Sequence, residues 1–439
     1  MSELIVLKTG GTSHIHGGDI ERDKRILKSD SRRRVMFVSA PGKIGSNRKV
    51  TDLLIDYYNA KTVDLKDTFF RAIIDRYKGI FYGTDLREAE ESLKACSTIG
   101  ETKAWGEDTL AKLLSRTIPN AEYVNPRDVF LVEGKDGEAI ILPESSEMIK
   151  RTIGEVLNRG KIAIVPGFFG YNRNGEVITL PRGCSDESAA CAAGVLEALV
   201  YENRTDVEGV YAANRDIVPD ARLIPELTYK EMRALSVGGF HVLHPRAVAH
   251  VENKMVPIHI GNSEEIDGTG TLVVFDRVVN PKKPIVGIAY QPGFCVFEIE
   301  KTGFDDIPGG VEKILEIFGE RNINWNYMPH GTDDISIALT QDQVSGRGIV
   351  HEITREIYKA VGGGYAEIGF KHDLGVLVVA GKGMKDRSGT SAKVDEVFSD
   401  NAINLIGKTQ GTKQRNMIYI ISEGDGASAV DQLYDEFIR

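Results

Sequence analysis

The stretch that most constrains this chain is residues 4–13, where Leu4-Ile5-Val6-Leu7 runs straight into Lys8-Thr9-Gly10-Gly11-Thr12-Ser13. Four consecutive apolar residues closed by a Gly pair read as a buried strand of a parallel sheet ending in a tight loop. Two adjacent glycines bring backbone close to a ligand, and the N–H groups of Gly10, Gly11, Thr12 and Ser13 can converge on an anion. Lys8, at the carboxyl end of the strand, would point to the place where open α/β sheets bind their ligands. Taken alone, the stretch fits a phosphate cradle and an ordinary Gly-Gly turn equally well.

At 439 residues the chain should divide into two or three domains. Its net charge of −10 argues against nucleic acid or an anionic membrane as the main partner. Neither a signal peptide nor a membrane-spanning run is legible. The four cysteines, Cys96, Cys184, Cys191 and Cys295, form no CxxC pair, so reduced thiols in a cytoplasmic protein are expected rather than disulfides or a metal centre.

Along the chain, apolar runs at 34–40, 121–124, 139–142 and 161–165 read as strands. Helical periodicity at 19–27, 51–117 and 144–159 separates or flanks them. This alternation predicts a mainly parallel sheet covered on both faces. The polar run Thr179-Leu180-Pro181-Arg182-Gly183-Cys184-Ser185-Asp186 leads into an Ala-rich helix over 189–199, with Ser185 or Asp186 as its cap. Residues 201–222 read as a polar loop, followed by helices at 228–235 and 245–253 and strands at 256–260 and 271–275. Asn280-Pro281-Lys282-Lys283-Pro284 marks a domain boundary. Beyond it lie two βαββαβ patterns of about 70 residues each, including a strand at 323–328, which suggest paired ferredoxin-like modules. No Walker A motif is present, since Gly381-Lys382-Gly383 lacks the required spacing.

At this point the residues resemble a known family. Lys8-Thr9-Gly10-Gly11-Thr12-Ser13 is similar to the Lys-Phe-Gly-Gly-Thr-Ser signature of aspartokinases, in the amino-acid kinase superfamily. Arg182-Gly183-Cys184-Ser185-Asp186, Thr205-Asp206-Val207-Glu208-Gly209-Val210-Tyr211 and Val242-Leu243-His244-Pro245 resemble three further motifs in family order. The resemblance implies an α/β fold: an amino-acid-kinase-like three-layer αβα domain over 1–280, then ferredoxin-like ACT modules over 285–372 and 373–439. It also implies transfer of the γ-phosphoryl group of ATP, with Mg²⁺, to the β-carboxylate of L-aspartate, opening the route to lysine, threonine and methionine.

By the same resemblance, Lys8 and Asp186 are the catalytic candidates. Ser39, Thr51, Glu101, Phe168, Arg182, Gly183 and Ser185 would meet aspartate, with Arg182 on its α-carboxylate and Glu101 on its ammonium. Lys8, Gly10, Gly11, Ser13, Thr205, Asp206, Gly209, Tyr211 and Arg215 would meet the nucleotide. An aspartate carboxylate is ionised at neutral pH, so the reaction needs charge neutralisation rather than a general base, and no metal-ligating side chain is singled out. Ile307, Gly309, Val311, Asn326, Asp333 and Asp334 would form an effector pocket for feedback inhibition by lysine, with or without threonine, and ACT pairing implies a homodimer or larger homo-oligomer.

Thr9, Pro181, Cys184, Asp216 and His241 depart from the family pattern, with Arg215 able to replace a shifted arginine and Cys184 expected to add bulk beside the substrate. Two other readings therefore stay open: a kinase of another small amino-acid carboxylate, and a catalytically impaired ACT sensor of amino acids.

Overall fold

The computed structural model of the chain describes residues 3–45, 48–240, 242–266 and 268–439. They form two compact units. The first runs to Val210 and takes in Leu223–Tyr229 and the described part of His241–Arg277. The second holds Tyr211–Arg222, Lys230–Phe240 and Val278–Arg439. The two short segments, placed by the sequence reading in the first domain, are bonded within the second unit. Ile288 N–H donates to the Ala212 carbonyl at 2.8 Å, Arg222 N–H to the Tyr434 hydroxyl at 2.8 Å and Lys382 N–H to the Glu231 carboxylate at 2.7 Å.

The first unit is built on an eight-stranded sheet. Its strand order is Glu226–Thr228, Thr271–Val274, Ile258–Asn262, Val200–Thr205, Ile5–Thr9, Arg33–Val38, Ile162–Pro166 and Ala121–Tyr123. All neighbours are parallel except Ile258–Asn262 and Thr271–Val274. Successive side chains of a strand face opposite sides. Leu7, Met36, Val38 and Ile164 share one core with the helices Gly18–Ser29, Val50–Asn59, Val63–Ile80 and Ile99–Thr117. Val6, Val35 and Phe37 are buried as well, and helix Ser185–Val195 packs on the strands Ile5–Thr9, Arg33–Val38 and Val200–Thr205.

Residues 201–205, expected as loop, lie in a strand at the middle of this sheet. Their polarity is matched by partners. Arg33 donates both Nε and Nη2 to Glu202 at 3.0 Å, and buried Arg204 donates to the carbonyls of Asn262, Glu265 and Ile266. Buried charge is tolerated when it is paired and hydrogen-bonded.

The second unit carries an antiparallel five-stranded sheet, ordered Asp334–Thr340, Gly287–Glu300, Glu367–Ala380, Asn416–Ser422 and Leu405–Thr409. Two of its strands are 14 residues long and run through both repeats. Phe294–Glu300 pairs with Asp334–Thr340, whereas residues 287–291 pair with 376–380. The repeats therefore interleave: the second takes its first strand from ahead of the first, and a division at 373 would cut one continuous strand. Residues 323–328 form no strand, only an isolated bridge from Tyr327 to Ala338. No helix among the described residues is long and apolar enough to cross a membrane.

Candidate functional site

The strands Ile5–Thr9 and Arg33–Val38 end side by side, and the loops that follow pack backbone against backbone. Gly42 N–H donates to the Gly11 carbonyl at 2.7 Å. A Cβ on Gly11 would lie 2.4 Å from the Ala40 carbonyl, and one on Gly42 would lie 2.7 Å from the Gly11 and Thr12 backbone. Only glycine allows this approach.

Of the four amides expected to form a cradle, two are already used. Gly10 N–H donates to the Arg204 carbonyl and Ser13 N–H to the Gly10 carbonyl, both at 3.0 Å. Those of Gly11 and Thr12 have no acceptor among the described residues. The Ser13 side chain is also turned away. Its hydroxyl is buried against Ser263 Oγ at 2.6 Å and is not on the cavity wall, which corrects its assignment to the nucleotide.

The cavity beside these amides, about 320 Å³, brings together most of the expected residues: Lys8, Gly10, Gly11, Ser39, Thr51, Phe168, Arg182, Gly183, Ser185, Asp186, Thr205 and Asp206 all line it. Lys8 Nζ meets Asp186 Oδ1 at 2.7 Å, both side chains being nearly buried. The other carboxylate oxygen of Asp186 accepts the His244 N–H at 3.2 Å, so the chain after residue 241 fixes this acid from behind. His241 itself lies outside the described residues. Neither Ser185 nor Asp186 caps the helix. It begins at Ser185, with Cys184 at the N-cap position and no side-chain cap bond. Arg182 is ion-paired to Asp52 at 2.6 Å.

Glu101 is not at the cavity. Its carboxylate accepts from Ser97 N–H and Thr98 N–H while Thr98 Oγ1 accepts Glu101 N–H, a complete capping box that starts helix Ile99–Thr117. The acid on the wall is Glu107, six residues later in a second Gly-Glu pair, Gly106-Glu107. Six residues along a helix turn a side chain well away from its predecessor. Gly106 lets this helix close on Ala40 and Leu54, where an added Cβ would sit 3.0 Å from both. The sequence did carry a signal for Glu107: it is the charged residue that follows Ala104-Trp105-Gly106 on the buried side of the helix. Ser185 Oγ donates to Glu107 Oε1 at 2.8 Å. Burial pushes the Glu107 carboxyl up to about 8, against the opposing pull of the Ser185 and Ala40 hydrogen bonds and the Lys8 charge.

Several other expected residues stand elsewhere. Cys184 is buried toward the His244 ring at 3.6 Å and adds no bulk to the cavity wall. Thr9 is fully buried in its strand. Gly209 is off the wall, packed so closely on Thr271 that a Cβ would lie 2.6 Å from its hydroxyl. Tyr211 and Arg215 stack on each other at 4.7 Å within the second unit.

Cys184, Glu187 and His244 bring ligand-type atoms within 4.8 Å of one another. The cluster is already held by protein partners, however. Glu187 pairs with His250 at 3.3 Å, the His244 ring accepts the Arg246 N–H, and burial pushes the Cys184 thiol up, away from the thiolate a metal requires.

In the second unit, helix Gly310–Gly319 starts from Gly309 in the left-handed region, φ 70°. Val311 and Ile307 pack against the core beneath that helix. Asp333 N–H donates to Asp305, and Gly331 N–H donates to the Asp334 carbonyl. Asn326 Oδ1 is buried without a hydrogen-bond partner.

Known proteins match both units. The sequence pattern of the amino acid kinase family covers residues 3–262, and that of an ACT domain covers residues 377–437. Aspartokinase 3 of Bacillus subtilis is 33% identical over 98% of this chain and 98% of its own. The aspartate kinase of Clostridium acetobutylicum superposes with a TM-score of 0.83 at 28% identity, over 99% of this chain and all of that one. E. coli aspartokinase III, solved with aspartate and ADP, shares the fold at a TM-score of 0.83 and 20% identity, with both chains fully covered. The ordered motifs, the cavity they converge on and these full-length likenesses agree: the chain belongs to the amino acid kinase family, among its aspartokinases.

Proposed function

We propose that this chain transfers the γ-phosphoryl group of ATP to the β-carboxylate of L-aspartate, releasing ADP and 4-phospho-L-aspartate. The observation that carries the reading is the Lys8–Asp186 pair, set in a cavity that also holds the unused Gly11 and Thr12 amides and the Arg182, Ser185 and Glu107 side chains.

The acceptor carboxylate is already ionised and needs no base. The barrier lies in bringing it against a polyphosphate, so catalysis is placement and charge neutralisation. Lys8 would stabilise the transferred group, held in place by Asp186, which the His244 amide orients in turn. Gly11 and Thr12 would donate their N–H groups to phosphate oxygens, while Thr205 and Asp206 would serve the nucleotide side.

Arg182 would exchange Asp52 for the substrate α-carboxylate, a group its planar fork suits. Glu107, ionising as it gains a cationic partner, would receive the α-ammonium, and Ser39, Thr51, Phe168 and Gly183 would shape the walls. Mg²⁺ is commonly held by one or two carboxylates plus phosphates. Asp186 and Asp206, which both line the cavity, fit that donor set. When bound, the ion would neutralise phosphate charge.

For the second unit we infer an amino-acid effector, lysine or threonine, bound near the Gly309 helix start and Asn326, whose Oδ1 lacks a donor. A cytoplasmic homodimer or larger assembly completes the reading. Trapping the acyl phosphate with hydroxylamine tests it. Purified chain with Mg-ATP should yield a hydroxamate from aspartate in preference to other amino acids, and less with added lysine or threonine. No hydroxamate from any amino acid would overturn the catalytic reading.

A further inference from the structure

Three cations line the cavity, and two of them are ion-paired. Lys8 is paired with Asp186 at 2.7 Å and Arg182 with Asp52 at 2.6 Å. Lys49 lines the same cavity and has no ion pair among the described residues. Its backbone is fixed. Val50 N–H donates to the Pro41 carbonyl at 3.1 Å, Asp52 and Leu53 N–H donate to the Lys49 carbonyl, and the Arg76 guanidinium donates to the carbonyls of Gly42 and Arg48.

Lys49 is also the N-cap residue of helix Val50–Asn59, where its side chain makes no cap bond. Lysine offers no acceptor at such a position, and a cation there opposes the helix dipole. A residue that breaks a local rule so plainly, on a cavity wall, points to a ligand.

We propose that Lys49 is a second phosphoryl-neutralising residue, its ammonium contacting the γ-phosphoryl group as it passes between ATP and the acceptor. The proposal rests on the phosphotransfer reading above. A bond forms from the acceptor carboxylate oxygen to the γ-phosphorus as the bond to the β,γ-bridging oxygen breaks. ADP leaves with that electron pair, and no proton moves. Lys49 stays protonated throughout and supplies charge where the reaction gathers it.

The test compares Lys49→Met and Lys49→Arg with the wild-type chain in the hydroxamate assay, with kcat and both KM values resolved and thermal unfolding as control. Lys49→Met should lower kcat by about 10², and Lys49→Arg should recover most of the loss. Because Lys49 is exposed and its charge opposes the helix dipole, the melting temperature of Lys49→Met should be unchanged or slightly raised. A Lys49→Met kcat within about twofold of wild type, a loss confined to KM for aspartate, or no recovery with arginine would each overturn the proposal. A wild-type chain that makes no hydroxamate would instead overturn the phosphotransfer reading on which it stands.

Discussion

Ser185 Oγ donates to Glu107 Oε1 at 2.8 Å, joining the first turn of helix Ser185–Val195 to a buried acid of helix Ile99–Thr117. The pair places a carboxyl that titrates near 8 on the wall of the cavity that holds Lys8 and Asp186.

That titration sets a pH dependence with a definite sign. Glu107 ordinarily titrates at 4.5 and in the fold at about 8, so the folded chain keeps a proton that the unfolded chain releases between these values. The stability attached to this proton is full below 4.5 and lost as pH rises toward 8. Replacing Glu107 with Gln should flatten that slope, as read from melting temperatures across the interval. If Glu107 must ionise to hold the substrate ammonium, kcat/KM for aspartate in the wild-type chain should rise with pH up to about 8.

On the proposed role of its charge at the transferred group, Lys8→Ala should lower turnover by about 10² or more. The variant also leaves Asp186 without its cation. Asp186→Asn in the same assay should reduce kcat more than it raises either KM, the signature of a placement lost in the transition state.

Glu101 separates the two Gly-Glu pairs experimentally. Glu101→Ala opens the capping box and should cost about 1 kcal/mol of stability in denaturant unfolding. Its kcat/KM for aspartate should match wild type, whereas Glu107→Ala should lower it strongly.

The central strand depends on its charges. Glu202→Ala leaves Arg33 and Arg204 buried without their carboxylate, and breaking such a pair should cost about 3–5 kcal/mol. Chemical denaturation checks this, and a loss below about 1 kcal/mol would mean that the carbonyl partners of the two arginines suffice.

Gly42→Ala probes the contact between the two loops. An added Cβ would lie 2.7 Å from the Gly11 and Thr12 backbone, so the cradle must shift. The KM for ATP should rise about tenfold or more, with a smaller change in KM for aspartate, measured by varying each substrate in turn.

The sequence by itself determined the local rules. The apolar run ending in Lys8-Thr9-Gly10-Gly11 had to be a buried strand meeting a close-packed loop, and the ordered motifs around Arg182, Thr205 and His244 pointed to one phosphotransfer site and its family. Tertiary structure decided what local pattern leaves open. Gly100-Glu101 and Gly106-Glu107 look alike in one dimension, and helix phase alone puts the second on the cavity. Ser13 matches a motif, yet Ser263 takes its hydroxyl. Residues 201–205 are polar enough for a loop, and Arg33, far away in the chain, makes them a central strand by supplying the missing charge. The two C-terminal repeats look consecutive in sequence, but two long strands serve both. In the last three cases the deciding partner is distant in sequence, so only the folded chain brings it within reach of a hydrogen bond.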